Sequence, residues 1–310
     1  MTSLGEVSRA RPVPTPLTVE ASHGGRVGEW LRHSLGAETM SCRVLSLNSG
    51  SQITEITLHR NGEDARYVLR RILNQEWMQR EPDLATREAV ALRLAVLTPI
   101  LTPQLIAYRV QDREIPQGLV LMSHVPGTCW NVQRRPPPAE LEELAAALRS
   151  IHRTSHELLA GLPEYSPHHW HDRADLRPPA WSTEQRAWTA AIEAFRGWRS
   201  AVVPRAEVLL HRDFHLQNIL WDARGLRSIV DWILACRGQP EADLGHCRWN
   251  LCRQFGYAAA EQFARAYSAE RYQRVWDVLA AVGGMPDTVP TSFQEQHNLD
   301  EFIVRAVAES

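Results

Sequence analysis

The stretch that most restricts how this chain can fold is a polar loop held between short apolar runs. His211-Arg212-Asp213-Phe214-His215-Leu216-Gln217-Asn218 follows Val208-Leu209-Leu210 and precedes Ile219-Leu220-Trp221. Runs this short, bounded by turn signals, read as strands. Ser228 to Val230 is a third such run, and Asp231 closes it. Asp222 to Gly225 offers a turn between the second and third runs. A strand–turn–strand hairpin of this length returns Asp231 to the mouth of the loop that carries Asp213 and Asn218. These residue types suit phosphoryl transfer, which needs a carboxylate to orient an attacking hydroxyl, oxygen ligands for magnesium, and cations on the phosphates.

The rest of the chain divides in two. From Cys42 to Ile72, Val44, Leu45 and Leu47 lead into Asn48-Ser49-Gly50-Ser51. Ile53, Ile56 and Leu58 follow, then the turn Asn61-Gly62 and Tyr67-Val68-Leu69. This predicts three strands and two turns. Asp83 is a candidate N-cap for a helix over 84–97, with Leu84, Glu88, Leu92 and Ala95 on one face. Residues 104–110 and 118–123 read as two further strands. After Gly127 strand signals become rare. Leu141, Leu144, Leu148 and Ile151 stripe a helix predicted over 139–160. A proline-, histidine- and aromatic-rich loop covers 163–181, a helix 183–200, and the C-terminal third is helical. Upstream, Val27, Trp30, Leu31 and Leu35 predict a short helix ended by Gly36. Prolines at 12, 14 and 16 predict a mobile tail over residues 1–22. The expected organisation is α+β: the tail, a β-rich lobe over 23–125, and a mainly helical lobe over 126–310.

The loop and hairpin resemble the catalytic and metal-binding loops of the kinase superfamily, in which H-R-D-x-x-x-x-N precedes a metal-binding aspartate. Asp231-Trp232 in place of Asp-Phe-Gly, and Gly238-Gln239-Pro240-Glu241-Ala242-Asp243-Leu244, are similar to the aminoglycoside phosphotransferase family, which includes choline-kinase-like enzymes. The resemblance spans about residues 43–257. It implies a protein-kinase-like two-lobed fold with Asp213 as catalytic base, and Asn218 and Asp231 as magnesium ligands. His211 would brace the loop, and His215 would stand where protein kinases carry a lysine that reaches the γ-phosphate. The family usually has glycine at the position of Arg212, and a proline and a small residue at those of Leu216 and Gln217.

The first lobe offers the parts such a fold requires. Backbone N–H groups of Asn48, Ser49, Gly50 and Ser51 would approach phosphate oxygens. Arg70 fills the third-strand position of the phosphate-binding lysine, and Glu88 would pair with it. Arg71 should face the opposite, solvated side. Leu119 to Gly127 resembles the lobe-connecting hinge. There Met122 would abut the base, while the Ser123 carbonyl and the Val125 N–H would bond its edge. Leu144 to His152 resembles the long helix opening the second lobe. Asp243 is expected to hold the catalytic loop through backbone hydrogen bonds, and His246, Arg248 and Trp249 are candidates for the acceptor pocket.

Composition excludes other classes. A formal net charge of −2 gives no basis for nucleic-acid or anionic-membrane binding. There is no lysine, so arginine supplies all 34 basic residues. Five cysteines without a C-x-x-C pair argue against a disulfide framework or structural zinc. No apolar run reaches membrane-spanning length, and the N-terminus lacks the apolar core of a signal peptide, so a cytoplasmic location is expected. His168, His169 and His171 match no common metal-site spacing and read as part of a substrate-side insertion.

The expected activity is transfer of the γ-phosphate of ATP or GTP, with magnesium, to a hydroxyl of a small molecule by a monomer or homodimer. An aminoglycoside, macrolide or peptide antibiotic leads by resemblance. A metabolic kinase for choline, a sugar or an amino alcohol is the alternative, and a nucleotide-binding pseudokinase is the rival from another class. Residues 241–310 hold ten acidic and six basic residues, which neither demands nor excludes a polycationic acceptor.

Overall fold

The computed structural model describes residues 25–37, 40–47, 50–60, 63–154, 157–166, 176–203, 206–268, 272–285 and 288–309. The expected N-terminal tail, Asn48, Ser49, the Asn61-Gly62 turn and the three histidines of the 163–181 loop lie outside the described residues.

The described chain opens with α1 (Arg26–Leu35), which buries Val27 and Leu31 on one stripe. Gly36 ends it at φ 59°, a left-handed conformation that only glycine adopts without a Cβ penalty. Strands β1 (Met40–Leu47), β2 (Ser51–Arg60) and β3 (Glu63–Ile72) follow. Next come α2 (Gln75–Arg80), α3 (Leu84–Ala95), β4 (Leu105–Arg109) and β5 (Gly118–Ser123). The five strands form one antiparallel sheet in the order β1-β2-β3-β5-β4.

Strand alternation divides this lobe's core. Leu58, Leu69, Leu119 and Leu121 pack with α1 in a small cluster. Ile72, Val120 and Met122 join α3 and the helical part in a large one. Arg70 therefore points to the α3 side, where Glu88 is fully buried.

The second part begins with β6 (Thr128–Cys129), α4 (Pro138–His152), α5 (Gln185–Arg196) and α6 (Trp198–Ala201). Then come β7 (Val208–Leu210), β8 (Ile219–Asp222), β9 (Gly225–Ile229) and β10 (Cys236–Gly238). Helices α7 (Glu241–Phe255), α8 (Tyr257–Tyr267), α9 (Val275–Gly284) and α10 (Phe293–Ala308) complete it. The order β6-β8-β9 makes a small sheet, and β7 pairs with β10. Gly127 joins the two parts at φ 121°. A Cβ there would lie 2.7 Å from Leu220 Cβ, so the lobe connection needs glycine to pass over β8.

Four expectations need correction. The helix expected over 139–160 stops at His152, because its apolar stripe ends at Ile151. Thr154 there turns its hydroxyl back onto the Ser150 carbonyl. The helix expected over 183–200 breaks at Gly197 into α5 and α6. Asp83 precedes α3 but makes no side-chain cap bond, since its carboxylate accepts from Arg87 at 3.1 Å instead. Arg71 is not simply solvated. Its register partner Gln52 and Gln117 present amide oxygens to its guanidinium at 2.8 to 3.0 Å.

Candidate active site

The polar loop is set by a carboxylate that follows it in sequence. Asp243, in the first turn of α7, is fully buried. It accepts the backbone N–H of His211 at 2.8 Å and that of Arg212 at 2.7 Å. His152 at the end of α4 bonds the same carboxylate at 3.2 Å and Tyr267 at 2.6 Å. Burial alone would raise the Asp243 carboxyl, but the His152 hydrogen bond and charge outweigh it and hold it below the usual range. Arg212 stands at φ 73° and Asp231 at φ 68°. Such conformations are costly for residues with a Cβ and persist where the surroundings over-determine them. The twin bonds to Asp243 do this for Arg212.

His211 is fully buried, and burial lowers its proton affinity. Its Nε2 lies 2.9 Å from the Val230 carbonyl, and its Nδ1 faces the Asp213 N–H at 3.3 Å. This pattern assigns a neutral ring with the proton on Nε2. His211 thereby ties the end of the hairpin to the loop.

Half-buried Asp213 collects donors. Asn218 Nδ2 donates to its carboxylate and to its carbonyl, both at 2.9 Å. His246 Nε2 lies 3.1 Å and His215 Nε2 3.4 Å from Oδ1. Burial pushes the Asp213 carboxyl up, but the charge and hydrogen bond of His215 and the bond from His246 overcome it and hold it well below the usual range. His215 responds in the opposite sense: burial lowers it, and the Asp213 charge raises it above its ordinary value.

Arg70 links the two lobes. Its Nε donates to Glu88 Oε1 at 3.0 Å, one terminal nitrogen to Ser51 Oγ at 3.1 Å, and the other to Asp231 Oδ1 at 2.8 Å. Burial works against this charge, yet Asp231 and Glu88 keep it above its ordinary value. For Glu88, burial is the dominant influence and pushes its carboxyl up to about 7 against the pull of Arg70. Gly50 contributes its carbonyl to the N–H groups of Leu73 and Asn74 at 2.9 and 3.2 Å, which ties the start of β2 to the end of β3.

A cavity of about 460 Å³ lies between the lobes. Val68, Arg70, Met122, Ser123, Val125 and Asp231 are on its wall, together with Asn218. Its apolar faces and hinge backbone suit a flat heteroaromatic base. Glu55 of β2 also lines it, bonded by Arg43 at 3.1 and 3.3 Å. Nothing in the sequence singled out that inward carboxylate, because it sits in an ordinary alternating strand.

Magnesium takes oxygen ligands and keeps several waters. Asn218 and Asp231 fit it. The Asn218 amide nitrogen is spent on Asp213, which leaves its carbonyl oxygen as the coordinating atom. Asp231 commits Oδ1 to Arg70 and has Oδ2 to offer. Among the described residues no group of three or more His, Cys, Asp or Glu is placed to hold a metal by side chains alone. An ion shared with nucleotide phosphates needs no such group.

A second cavity, of about 580 Å³, lies on the other side of the loop between α7 and the start of α10. His215 is on its wall rather than on that of the first cavity, its ring drawn toward the Asp213 carboxylate. Of the pocket candidates on α7, His246 reaches Asp213, and the other two are corrected. Arg248 is buried against Asp277 and Glu261, and Trp249 packs on Phe302 in the core. The residues that do line this cavity, Asn250, Arg253 and Gln254 of α7 with Thr291, Ser292, Gln294 and Glu295, carried no motif.

Residues 47–282 match the phosphotransferase enzyme family, most of the chain, and the protein belongs to that family. Solved structures show the same kinase-like fold, as the sequence led one to expect. A ternary complex of a thermostable mutant of aminoglycoside phosphotransferase APH(4)-Ia with ADP and hygromycin B is 16% identical, with a TM-score of 0.59 over 91% of this chain and 98% of that one. The GDP and kanamycin complex of APH(2")-IIIa is 15% identical, with a TM-score of 0.60 over 90% and 96%. The apoenzyme of macrolide 2'-phosphotransferase MphH from Brachybacterium faecium is 19% identical, with a TM-score of 0.52 over 88% and 96%. A search of curated proteins by sequence finds no match.

Proposed function

We propose that this phosphotransferase moves the γ-phosphoryl group of ATP or GTP to a hydroxyl of a small molecule, with magnesium. The observation that carries this reading is the linked set Glu88–Arg70–Asp231 and Asn218–Asp213, with Arg70, Asn218 and Asp231 on the wall of the first cavity and His215, beside Asp213, on the wall of the second. One cavity suits the donor base, and the other can deliver a hydroxyl to Asp213.

Asp213 orients the hydroxyl. As the acceptor oxygen bonds to the γ-phosphorus and the bond to the β-bridging oxygen breaks, the hydroxyl proton passes to the Asp213 carboxylate. A carboxyl held well below the usual range is a weak base. It suits a loose transition state, in which the nucleophile needs positioning more than early deprotonation. Arg70 offsets phosphate charge, with Glu88 and Ser51 fixing its fork. Magnesium held by Asn218 and Asp231 supplies the remaining charge neutralisation when bound.

Structural relatives solved with hygromycin B and kanamycin, and a macrolide phosphotransferase, support an antibiotic as the first acceptor class to test. A cytoplasmic location, where nucleoside triphosphate is available, belongs to the same proposal. No helix among the described residues is long and apolar enough to cross a membrane. The test is release of ADP from ATP, or of GDP from GTP, over a panel of antibiotics, choline, sugars and amino alcohols. Acceptor-dependent release supports the reading. Nucleotide binding with no turnover on any acceptor or on water would favour the pseudokinase.

A further inference from the structure

The wall of the second cavity says which acceptors it can hold. This inference rests on the phosphotransferase reading above. Six of its lining residues are amides: Gln133, Gln217, Asn250, Gln254, Gln294 and Asn298. A primary amide carries both donors and an acceptor, which matches a hydroxyl. Asn298, Gln294 and Asn250 spend amide N–H groups within the protein, which leaves Gln133, Gln217 and Gln254 to carry most of that match. Two hydroxyl residues, Thr291 and Ser292, add to the same character.

Charge on this wall is sparse and already committed. Among its described residues the only carboxylate is Glu295 and the only guanidinium is Arg253. The two form an ion pair through Glu295 Oε1. Glu295 Oε2 accepts the backbone N–H and the hydroxyl of Thr291, both at 2.7 Å. Both carboxylate oxygens are thus occupied by the chain's own donors. A ligand ammonium entering here would meet a guanidinium and would have to break existing bonds to gain a counter-charge. Several ammonium groups would each meet no uncommitted carboxylate among the described lining residues.

The floor is equally fixed. Asn298 is buried, its Oδ1 accepts from Gln294 at 2.9 Å, and its Nδ2 donates to the Arg253 carbonyl at 3.2 Å. The cavity meets the catalytic loop at His215, whose ring is 3.4 Å from Asp213. Its volume of about 580 Å³ falls within the range of small-ligand pockets.

We propose that the acceptor is an uncharged, hydroxyl-rich molecule, a sugar or a glycoside, and not a polyamine. The wall binds it through amide–hydroxyl pairs and presents one of its hydroxyls to Asp213.

The test measures kcat/KM for transfer from γ-labelled ATP by the full chain with magnesium. One set of probes is uncharged: maltose, methyl glycosides and myo-inositol. The other is polycationic: kanamycin and hygromycin B. At least one uncharged acceptor is expected to exceed both polycations by tenfold or more. Gln254→Glu and Gln294→Glu, which add carboxylates to the wall, should narrow that ratio by at least threefold. Better turnover of the polycations in the unsubstituted protein overturns the inference, and so does the absence of transfer to every uncharged probe. The phosphotransferase reading is judged separately, by slow hydrolysis of ATP by water that depends on Asp213. That activity can persist when every uncharged acceptor fails.

Discussion

Arg70 of β3 donates to Asp231 at 2.8 Å across 161 residues of sequence, while its Nε holds Glu88 of α3. One buried side chain therefore joins the sheet, the helix and the aspartate that follows β9.

Replacing that side chain should have two separable effects. Arg70→Ala leaves the buried Glu88 carboxyl without its hydrogen-bond and ion-pair partner, so that it takes up a proton, and should cost about 1–3 kcal/mol, read as a lower urea midpoint. Arg70→Ala with Glu88→Ala should recover much of that stability. Neither variant should recover nucleotide affinity. Arg70→Lys keeps the charge but loses the fork that spans three partners, and its nucleotide KM should rise about tenfold.

Asp243 touches neither cavity, so its removal should separate loop geometry from nucleotide binding. Asp243→Asn turns an amide toward two backbone N–H groups that now meet a carboxylate. It should cost about 2–3 kcal/mol and lower kcat by at least about tenfold. Nucleotide Kd, measured by calorimetry, should change little.

A pH dependence follows from a site far from the chemistry. Glu261 accepts from Arg248 at 2.8 Å and from Arg274 at 2.9 Å. Burial opposes its ionisation, but the Arg274 hydrogen bond and the Arg248 charge lower its carboxyl to about 2. A carboxyl depressed by folding adds stability that is complete above its unfolded value, about 4.3, and is lost as pH falls through the folded value. Allowing for partial solvent screening, Glu261→Gln should cost about 1–2 kcal/mol at pH 7, with most of that cost gone by about pH 2, read from urea melts.

How far the sequence speaks depends on whether partners are close along the chain. His211 to Asp231 is one contiguous stretch, so loop, hairpin and returning aspartate could be read together. Gly118–Ser123 and Val208–Leu210 were legible as strands because their apolar runs end at turn residues. The Arg70–Glu88 pair was legible only through the family order, since each residue alone resembles a surface charge. The second cavity was not legible. Gln133, Gln254 and Thr291 come from distant segments, and polar residues of these types occur on any surface. Helix α2 was missed although Asn74 caps it, accepting the Trp77 N–H at 2.9 Å, because six residues are too few for a period to show.

Gly127 tests the lobe connection. Gly127→Ala combines an unfavourable backbone conformation with a Cβ 2.7 Å from Leu220. The cost should be about 2–3 kcal/mol, with a lower Tm and weaker nucleotide binding, since the same turn lines the donor cavity.

The most direct test concerns Asp213. Asp213→Ala should lower kcat by about 10²–10⁴-fold with any acceptor the protein uses, while the Kd for magnesium-nucleotide stays within about twofold. Turnover at the level of the unsubstituted protein would contradict the assignment of Asp213 as the group that receives the hydroxyl.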